Sequence, residues 1–238
     1  MSLSWPPLVN WNTPAGKLLD HLIETLEPKE GGIITVFGSA ALQLVVDEGF
    51  LSGDVDLFSD RDLNEAIQTA GLKKGQASVC AHFCEELTFQ TSPKWKDRAY
   101  LVNRFGVQIR IPHQLDILIS KLIRLEPKDL DAFRTVRLRT GHPTESELTD
   151  ELQIAVDVLR PGFDEEHGKN PIENVRILWK ELFDHSIDVH RQIIIPAIAR
   201  RRGGYERAQG FLKAELRSLS KVIHYSPSKQ KGQGERDP

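Results

Sequence analysis

The sequence is poor in cysteine and has no long apolar run. Only Cys80 and Cys84 occur among 238 residues, which excludes a disulfide framework of the kind found in small secreted proteins. No apolar stretch approaches the roughly 20 residues of a transmembrane helix, and the N-terminal residues MSLSWPPLVNW lack the charged and then apolar layout of a signal peptide. We therefore expect a cytoplasmic protein that does not contact a membrane.

The chain also lacks an excess of charge of one sign. Its formal net charge is −3, from 31 basic and 34 acidic side chains, and this balance argues against a generally basic nucleic-acid-binding surface, although a local one stays open. Apolar residues make up 39% and charged residues 27% of the chain, as in ordinary soluble globular proteins. A chain of this length can form one large domain or two small ones.

The two cysteines flank a histidine in the segment Cys80-Ala81-His82-Phe83-Cys84. If this segment is a strand, the side chains of Cys80, His82 and Cys84 share one face, and a metal site with three ligands is one interpretation. Structural zinc sites usually have four ligands at turn-like spacing. We therefore favour two buried free thiols over a zinc site.

The most informative stretch is Gly31–Asp60, which predicts a strand, a tight turn, a helix, a loop and a second strand. The apolar run Ile33–Phe37 is typical of a buried strand, and glycines bound it on both sides. The segment Asp54–Phe58 alternates with a period of two. The carboxylates of Asp54 and Asp56 therefore point to one face, while the residues between them point into the core.

Two carboxylates placed in this way repel each other unless a cation lies between them. Oxygen ligands of this kind suit Mg²⁺ or Mn²⁺, which bind through one or two carboxylates together with substrate phosphates. Gly38 lets the backbone approach a phosphate closely, and Ser39 lies at the helix N-terminus, where anions are favoured. The alternative is structural: the aspartates lie on a solvent-facing edge strand, and Gly38-Ser39 only caps the helix.

These residues resemble a known family. Gly38-Ser39, a helix and then Ser52-Gly53-Asp54-Val55-Asp56 resemble the signature of the DNA polymerase beta-type nucleotidyltransferase superfamily. A second segment, Ile111–Leu122 followed by Arg124 and Lys128-Asp129, resembles the AbiEii-like and related minimal nucleotidyltransferases, which often belong to toxin–antitoxin or phage-defence pairs. The two segments span residues 31–133, about half of the chain.

The resemblance implies an activity and a partner. The activity is metal-dependent transfer of a nucleoside monophosphate from a nucleoside triphosphate to a hydroxyl group of RNA, such as a tRNA end, or of protein, with Mg²⁺ or Mn²⁺ as cofactor. A cognate toxin or antitoxin is the implied protein partner.

The resemblance also assigns roles to residues. Asp54 and Asp56 are the metal ligands and, together with Lys121, the catalytic residues. The implied nucleotide-binding set comprises Gly38, Ser39, Lys121 and Asp129. Without the resemblance, Lys121 is equally well explained as a lysine whose stem lies over a core-facing helix while its ammonium group stays in water.

The third metal carboxylate of the superfamily normally lies mid-strand between apolar neighbours in the next part of the chain. The predicted strands Leu87–Phe89 and Val107–Ile111 carry Thr88 and Gln108 at that place. Glu86 lies two residues before Thr88, on the same face of the predicted strand, and is the best substitute as a metal ligand, unless it is a solvated surface carboxylate. The altered third position supports an alternative function: a non-catalytic binding module, either an antitoxin or a nucleotide sensor.

The rest of the chain is predicted to be helical. Thr13-Pro14 begins the first helix, and Thr144 with Glu147 and Asn170-Pro171 begin two later ones. The basic residues between positions 200 and 221 predict a basic last helix that either holds an RNA acceptor or pairs with the acidic segment before it. We therefore predict an α/β (α+β) fold in which a nucleotidyltransferase-type mixed sheet, flanked by helices, occupies residues 1–140. A helical domain at 141–224 and a disordered tail at 225–238 follow.

Overall fold

The computed structural model describes residues 8–26, 32–160 and 170–201. The chain divides into two compact units, Met1–Ile194 and Ile195–Pro238, and the sheet belongs to the first. The domain boundary predicted near residue 140 stays a prediction. The predicted tail and most of the predicted basic helix lie outside the described residues.

The secondary structure follows the chain as alternating helices and strands, and then as helices. The strands are β1 Ile33–Val36, β2 Asp54–Ser59, β3 Cys80–Phe83, β4 Tyr100–Arg104 and β5 Val107–Ile111. The α-helices are α1 Pro14–Glu24, α2 Gly38–Val45, α3 Asn64–Thr69, α4 Trp95–Arg98, α5 Gln114–Ser120, α6 Pro127–Thr140, α7 Glu145–Ile154, α8 Pro171–Phe183 and α9 Ile195–Arg200. Short 3-10 helices lie at Glu86–Thr88, Lys121–Ile123 and Val156–Leu159, and a π-helix lies at His190–Ile194. Among the described helices, none is long and apolar enough to cross a membrane.

The five strands form one mixed sheet in the order β3-β2-β1-β5-β4. β1 pairs antiparallel with β2 and parallel with β5. β2 pairs parallel with β3, and β4 pairs antiparallel with β5. The structure therefore confirms the predicted α/β fold with a mixed sheet flanked by helices.

One face of the sheet is packed against helices. Val55 and Leu57 of β2 are fully buried, as are Ile109 and Ile111 of β5, because alternate residues of a strand share a face. Helix α2 contacts both β2 and α5, and α1 packs on α2. The aspartates of β2, which alternate with Val55 and Leu57, therefore point away from this core.

A cluster of aromatic rings fixes the chain where β1 leads into α2. The ring of Phe37 stacks on that of Phe89, with centroids 4.6 Å apart, and Trp95 meets Phe89 edge-on at 5.1 Å. All three side chains are buried. Burial of large aromatic surfaces contributes strongly to stability, so Phe37, the residue before the turn, is held firmly in place.

Three helix starts that were predicted from their caps, at Thr13, Thr144 and Asn170, are confirmed. The Thr13 side chain accepts a hydrogen bond from Gly16 N at 3.1 Å, Thr144 and Glu147 form a reciprocal capping box, and Asn170 caps α8. The strand predicted at Leu87–Phe89 is wrong, since Glu86–Thr88 is a 3-10 helix. Three alternating residues are too short a pattern to distinguish a strand from a turn of helix.

Candidate functional site

The turn between β1 and α2 lies directly against β2. Gly38 has a φ of +63°, and a Cβ atom there would lie 3.2 Å from Oδ2 of Asp56. Phe37 N donates to the Asp56 carbonyl oxygen at 2.9 Å. A side chain at position 38 would be strained by the backbone conformation and crowded by the carboxylate, so glycine is required for this close approach.

No side chain caps the N-terminus of α2. Its N-cap residue is Phe37, whose side chain cannot accept a hydrogen bond from the first amides of the helix. Gly38 is the first helical residue and does not cap the helix. Unsatisfied amides and the helix dipole together favour an anion at such a position.

Asp54 and Asp56 lie on the outward face of an interior strand. Asp54 is exposed, and the side chain of Asp56 is 40% exposed. β2 is paired on both sides, with β1 and β3, so the structural alternative of an edge strand is wrong. Their oxygen donors suit a hard divalent cation such as Mg²⁺ or Mn²⁺.

Lys121 connects this turn to the helices behind it. It follows the last residue of α5 and is only 4% exposed. Its Nζ lies 2.9 Å from Oδ1 of Asp129 and 3.3 Å from Oγ of Ser39. The alternative of an ammonium group that stays in water is therefore wrong, because Lys121 is buried and directed at the start of α2.

Asp129 holds two cations and one backbone amide. Its fully buried carboxylate accepts from Lys121, from Nε of Arg124 at 3.0 Å and from Glu126 N at 3.1 Å. Burial raises the pKa of Asp129, but the hydrogen bond from Arg124 and the charge and hydrogen bond of Lys121 outweigh it and lower that pKa below its usual value. The carboxylate is thus ionised and anchors both side chains.

Sequence reasoning did not assign a role to Arg124. Burial lowers the pKa of Arg124, but the hydrogen bond to Asp129 and the charges of Asp129 and, more weakly, Asp56 raise it. Arg124 is therefore within electrostatic range of the β2 carboxylate, and 45% of its side chain is exposed. The sequence offered two signals, its place in the segment that resembles the AbiEii-like proteins and its position three residues after Lys121, but the 3-10 helix after α5 made the direction of its side chain unpredictable.

The histidine on β3 lies directly opposite Asp56. The parallel register of β2 and β3 pairs Asp54 with Cys80 and Asp56 with His82. His82 Nδ1 lies 3.1 Å from Asp56 Oδ1. Asp56, His82 and Cys84 bring their ligand atoms within 4.8 Å of one another.

The predicted group of Cys80, His82 and Cys84 differs from the group that the structure brings together. Both thiols are free, as predicted, but they are half-buried rather than buried. Cys80 does not belong to the cluster of Asp56, His82 and Cys84. Burial raises the pKa of the Cys84 thiol, and the charge of Asp56 raises it further.

Contrary to the prediction, Glu86 does not lie on a strand. Glu86 begins a 3-10 helix instead of lying on a strand, so it has no defined face in common with Thr88. Its carboxylate forms an ion pair with Lys96, which is half-exposed. The role of Glu86 as a metal ligand stays a prediction without its geometric basis.

Gln108 lies at the wrong end of the sheet to replace the third carboxylate. It pairs with Ile33 at the start of β1, whereas the residue opposite Asp56 is Phe37, four residues later. At about 3.3 Å per residue this is a separation of roughly 13 Å along the strand. The residue beside Asp56 on the neighbouring strand is His82. It lies mid-strand between the apolar residues Ala81 and Phe83, which is the pattern expected for the third carboxylate.

Comparison with known proteins identifies a family for just over half of the chain. A family model described as "Nucleotidyltransferase of unknown function (DUF6036)" matches residues 17–141. These 125 of 238 residues contain the whole sheet, the Gly38-Ser39 turn, Lys121 and Asp129. No curated protein and no solved structure matches the chain.

Proposed function

The chain belongs to the DUF6036 nucleotidyltransferases, and on that basis we propose that it transfers a nucleoside monophosphate from a nucleoside triphosphate to a hydroxyl group of RNA or protein. The proposed site consists of the Gly38-Ser39 turn, the carboxylates of Asp54 and Asp56, and Lys121. A cognate toxin or antitoxin, as in the AbiEii-like proteins, remains part of this proposal as a partner.

One observation carries the proposal. Three segments far apart in sequence meet at the N-terminus of α2: Gly38 approaches Asp56 closely, and Lys121 Nζ lies 3.3 Å from Ser39 Oγ. A triphosphate needs this combination, since amides and a lysine bind its oxygens while carboxylates hold its metal ion. Surface aspartates or a helix cap alone would not require a buried lysine at the same place.

In the proposed reaction the acceptor oxygen forms a bond to the α-phosphorus. The bond from this phosphorus to the oxygen that bridges to the β-phosphate breaks, pyrophosphate leaves, and the hydroxyl proton passes to water. A divalent ion held by Asp54 and Asp56 would neutralise the triphosphate charge when bound. The amides of α2 and the ammonium of Lys121 bind phosphate oxygens and hold the nucleotide in line with its acceptor.

Asp129 positions the cations and does not bind phosphate itself. A carboxylate accepts hydrogen bonds only, and the oxygens of Asp129 are already shared by Lys121, Arg124 and Glu126 N. An ammonium group has three donors, and the contacts to Asp129 and Ser39 use two for Lys121. The third is the donor that we assign to a phosphate oxygen.

The proposal is tested by label transfer from the α-phosphate. The purified full-length chain is incubated with each of the four α-labelled nucleoside triphosphates, Mg²⁺ or Mn²⁺, and total RNA. We expect label in RNA or in protein, and its loss in Asp54→Asn and Asp56→Asn. The matched control is Asp60→Asn, which alters the exposed aspartate just after β2. Label that persists in Asp56→Asn, with its melting temperature unchanged, contradicts the site assignment.

A second candidate function is a binding module that retains the nucleotide site without turnover. The observation that favours it is the lack of a carboxylate beside Asp56 on β3, where His82 is found. Metal-dependent nucleotide binding with no label in RNA or protein would favour this function, either as a nucleotide sensor or as an antitoxin. A partner that co-purifies tightly would select the antitoxin.

A further inference from the structure

The two carboxylate oxygens of Asp56 lie in different surroundings. Oδ2 is the atom that would lie 3.2 Å from a Cβ at Gly38, on the side of the α2 turn. Oδ1 lies 3.1 Å from Nδ1 of His82, on the side of β3. Asp56 is therefore placed between the proposed phosphate site and a separate group of donors on the neighbouring strand.

The donors on the β3 side differ in chemistry from those on β2. They are an imidazole nitrogen and a thiol sulfur, and with a carboxylate oxygen of Asp56 they form one compact group within 4.8 Å. Typical zinc distances are about 2.0–2.2 Å to nitrogen or oxygen and about 2.3 Å to sulfur. One tetrahedral ion can therefore reach all three atoms after small side-chain rotations.

We propose that Asp56, His82 and Cys84 form a mixed-donor site for a zinc-like divalent ion, next to the oxygen-only position at Asp54 and Asp56. Imidazole and thiolate select ions such as Zn²⁺ over Mg²⁺. Three protein ligands leave a fourth position open for water or a phosphate oxygen, which is the arrangement of catalytic zinc sites. Placing this second ion beside the nucleotide rests on the proposed function, but binding of the ion does not.

When an ion binds, bonds to the ion replace hydrogen bonds that Asp56, His82 and Cys84 otherwise make. Cys84 Sγ donates to the Leu57 carbonyl oxygen at 3.3 Å, and its proton passes to solvent when a thiolate–metal bond forms. The Asp56–His82 contact opens so that both atoms can face the ion. The side chains have room to rotate, because His82 is exposed and Cys84 is only half-buried.

The strand supplies its own matched control. Cys80 lies four residues before Cys84, is also free and half-buried, and is paired in register with Asp54. It donates weakly to the Gly53 carbonyl oxygen at 3.5 Å but lies outside the cluster. Cys80→Ser therefore makes the same chemical change on the same strand without removing a proposed ligand.

The experiment uses Co²⁺ as a spectroscopic substitute for Zn²⁺. Co²⁺ is titrated into the reduced full-length chain while the near-ultraviolet charge-transfer band of a thiolate–cobalt bond is recorded. We expect the band in the unsubstituted chain, in Cys80→Ser and in Asp54→Asn. We expect its loss in Cys84→Ser, and binding weaker by about 100-fold in His82→Gln, because even outer residues of such sites change affinity by about 10–100-fold. Zn²⁺ should displace Co²⁺, and excess Mg²⁺ should not.

Two outcomes overturn this inference. One is the lack of any band, which would show that Asp56 and His82 form a surface ion pair only. The other is a band that survives in Cys84→Ser but is lost in Cys80→Ser. Far-ultraviolet circular dichroism of each variant establishes that it is folded. A band in a chain that shows no metal-dependent nucleotide binding would contradict the proposed function and leave the ion site standing.

Discussion

Two fully buried aspartates, Asp116 in α5 and Asp129 in α6, each anchor an arginine, yet their surroundings differ. Asp116, in the first turn of α5, accepts from Arg98 Nε at 2.5 Å and from Arg98 Nη2 at 2.6 Å. Arg98 also donates to Glu151 of α7 at 2.5 Å. Asp129 accepts from Lys121, just beyond the end of α5, and from Arg124.

The balance of charge distinguishes the two clusters. Arg98 is shared by two carboxylates, so the scaffold cluster of Arg98, Asp116 and Glu151 has one negative charge in excess. Asp129 is shared by two cations, so the site cluster of Lys121, Arg124 and Asp129 has one positive charge in excess, next to the N-terminus of α2, which no side chain caps. Burial of an ion pair therefore does not mark a functional site, whereas an unbalanced cation beside a helix N-terminus favours phosphate.

The largest expected effect is a loss of stability when the scaffold cluster is disrupted. Asp116→Ala should lower the free energy of unfolding by about 3–5 kcal/mol, because it removes two hydrogen bonds from Arg98, and each hydrogen bond to a charged group contributes about 1.5–3 kcal/mol. Urea denaturation measures the change. In the control Asp131→Ala, the lost partner of Arg134 is 68% exposed, and the loss should stay below about 1 kcal/mol. Equal losses would show that the Arg98 cluster is not a structural anchor.

The second prediction concerns pH and the same scaffold cluster. Burial, the largest cause, and the positive charge of Arg98 lower the pKa of His113 from 6.5 to about 4, although Glu151 and Glu147 oppose this and His142 adds to it weakly. Between pH 6.5 and pH 4 the unfolded chain therefore binds more protons at this position than the folded chain does. Stability should fall as the pH is lowered through this window, by about 3 kcal/mol.

His113→Asn is the variant that isolates this effect. The Nδ1 atom of neutral His113 accepts from Leu115 N at 3.3 Å and caps α5, and asparagine can keep that hydrogen bond without titrating. Urea denaturation at several pH values should give a shallower loss of stability in the variant below pH 6.5. Parallel curves for the two proteins would contradict the assignment to His113.

Local sequence signals predicted much of the fold and part of the site. Some signals depend only on neighbours within a few residues, and these can be read directly from the sequence. They include the Thr13 cap, the apolar run of β1 and the glycine at position 38. His82 was weighed as a zinc ligand together with Cys80 and Cys84, and its contact with Asp56 was not predicted, because that pairing spans 26 residues and depends on strand order. The exposed face of Asp56 was predictable from its period-two pattern, whereas the residue beside it was not.

The burial of the two clusters could not be predicted from the sequence either. Asp116 is an acidic residue in the first turn of a helix, where a solvated carboxylate is the common outcome, and its partners Arg98 and Glu151 come from other elements. Apolar residues such as Ile119 and Leu122 flank Lys121, but its burial was not predicted. Its contact with Ser39 spans 82 residues, and only the family resemblance indicated it beforehand.

The third prediction tests the excess cation of the site cluster. Lys121→Met should weaken binding of a metal–nucleotide complex by about tenfold to a hundredfold, since a hydrogen bond to a charged group contributes about 1.5–3 kcal/mol. Stability should change less than in Asp116→Ala, because Arg124 still pairs with Asp129. Calorimetric titration with a non-hydrolysable nucleotide measures the affinity. In the control Lys128→Met, an exposed lysine is removed, and the affinity should stay within about twofold.

The smallest effect decides whether Ser39 binds phosphate itself or acts through Lys121. Ser39→Ala removes one hydroxyl from a 3.3 Å contact, and the typical net contribution of one hydrogen bond is about 1 kcal/mol, or about fivefold in affinity. In the control Ser120→Ala, the lost hydroxyl donates to the Ile117 carbonyl oxygen within α5. If Ser39 acts by orienting the ammonium group, Ser39→Ala should have no effect in a Lys121→Met background. If the two losses add, the hydroxyl contacts the nucleotide independently, and the excess positive charge alone does not account for binding.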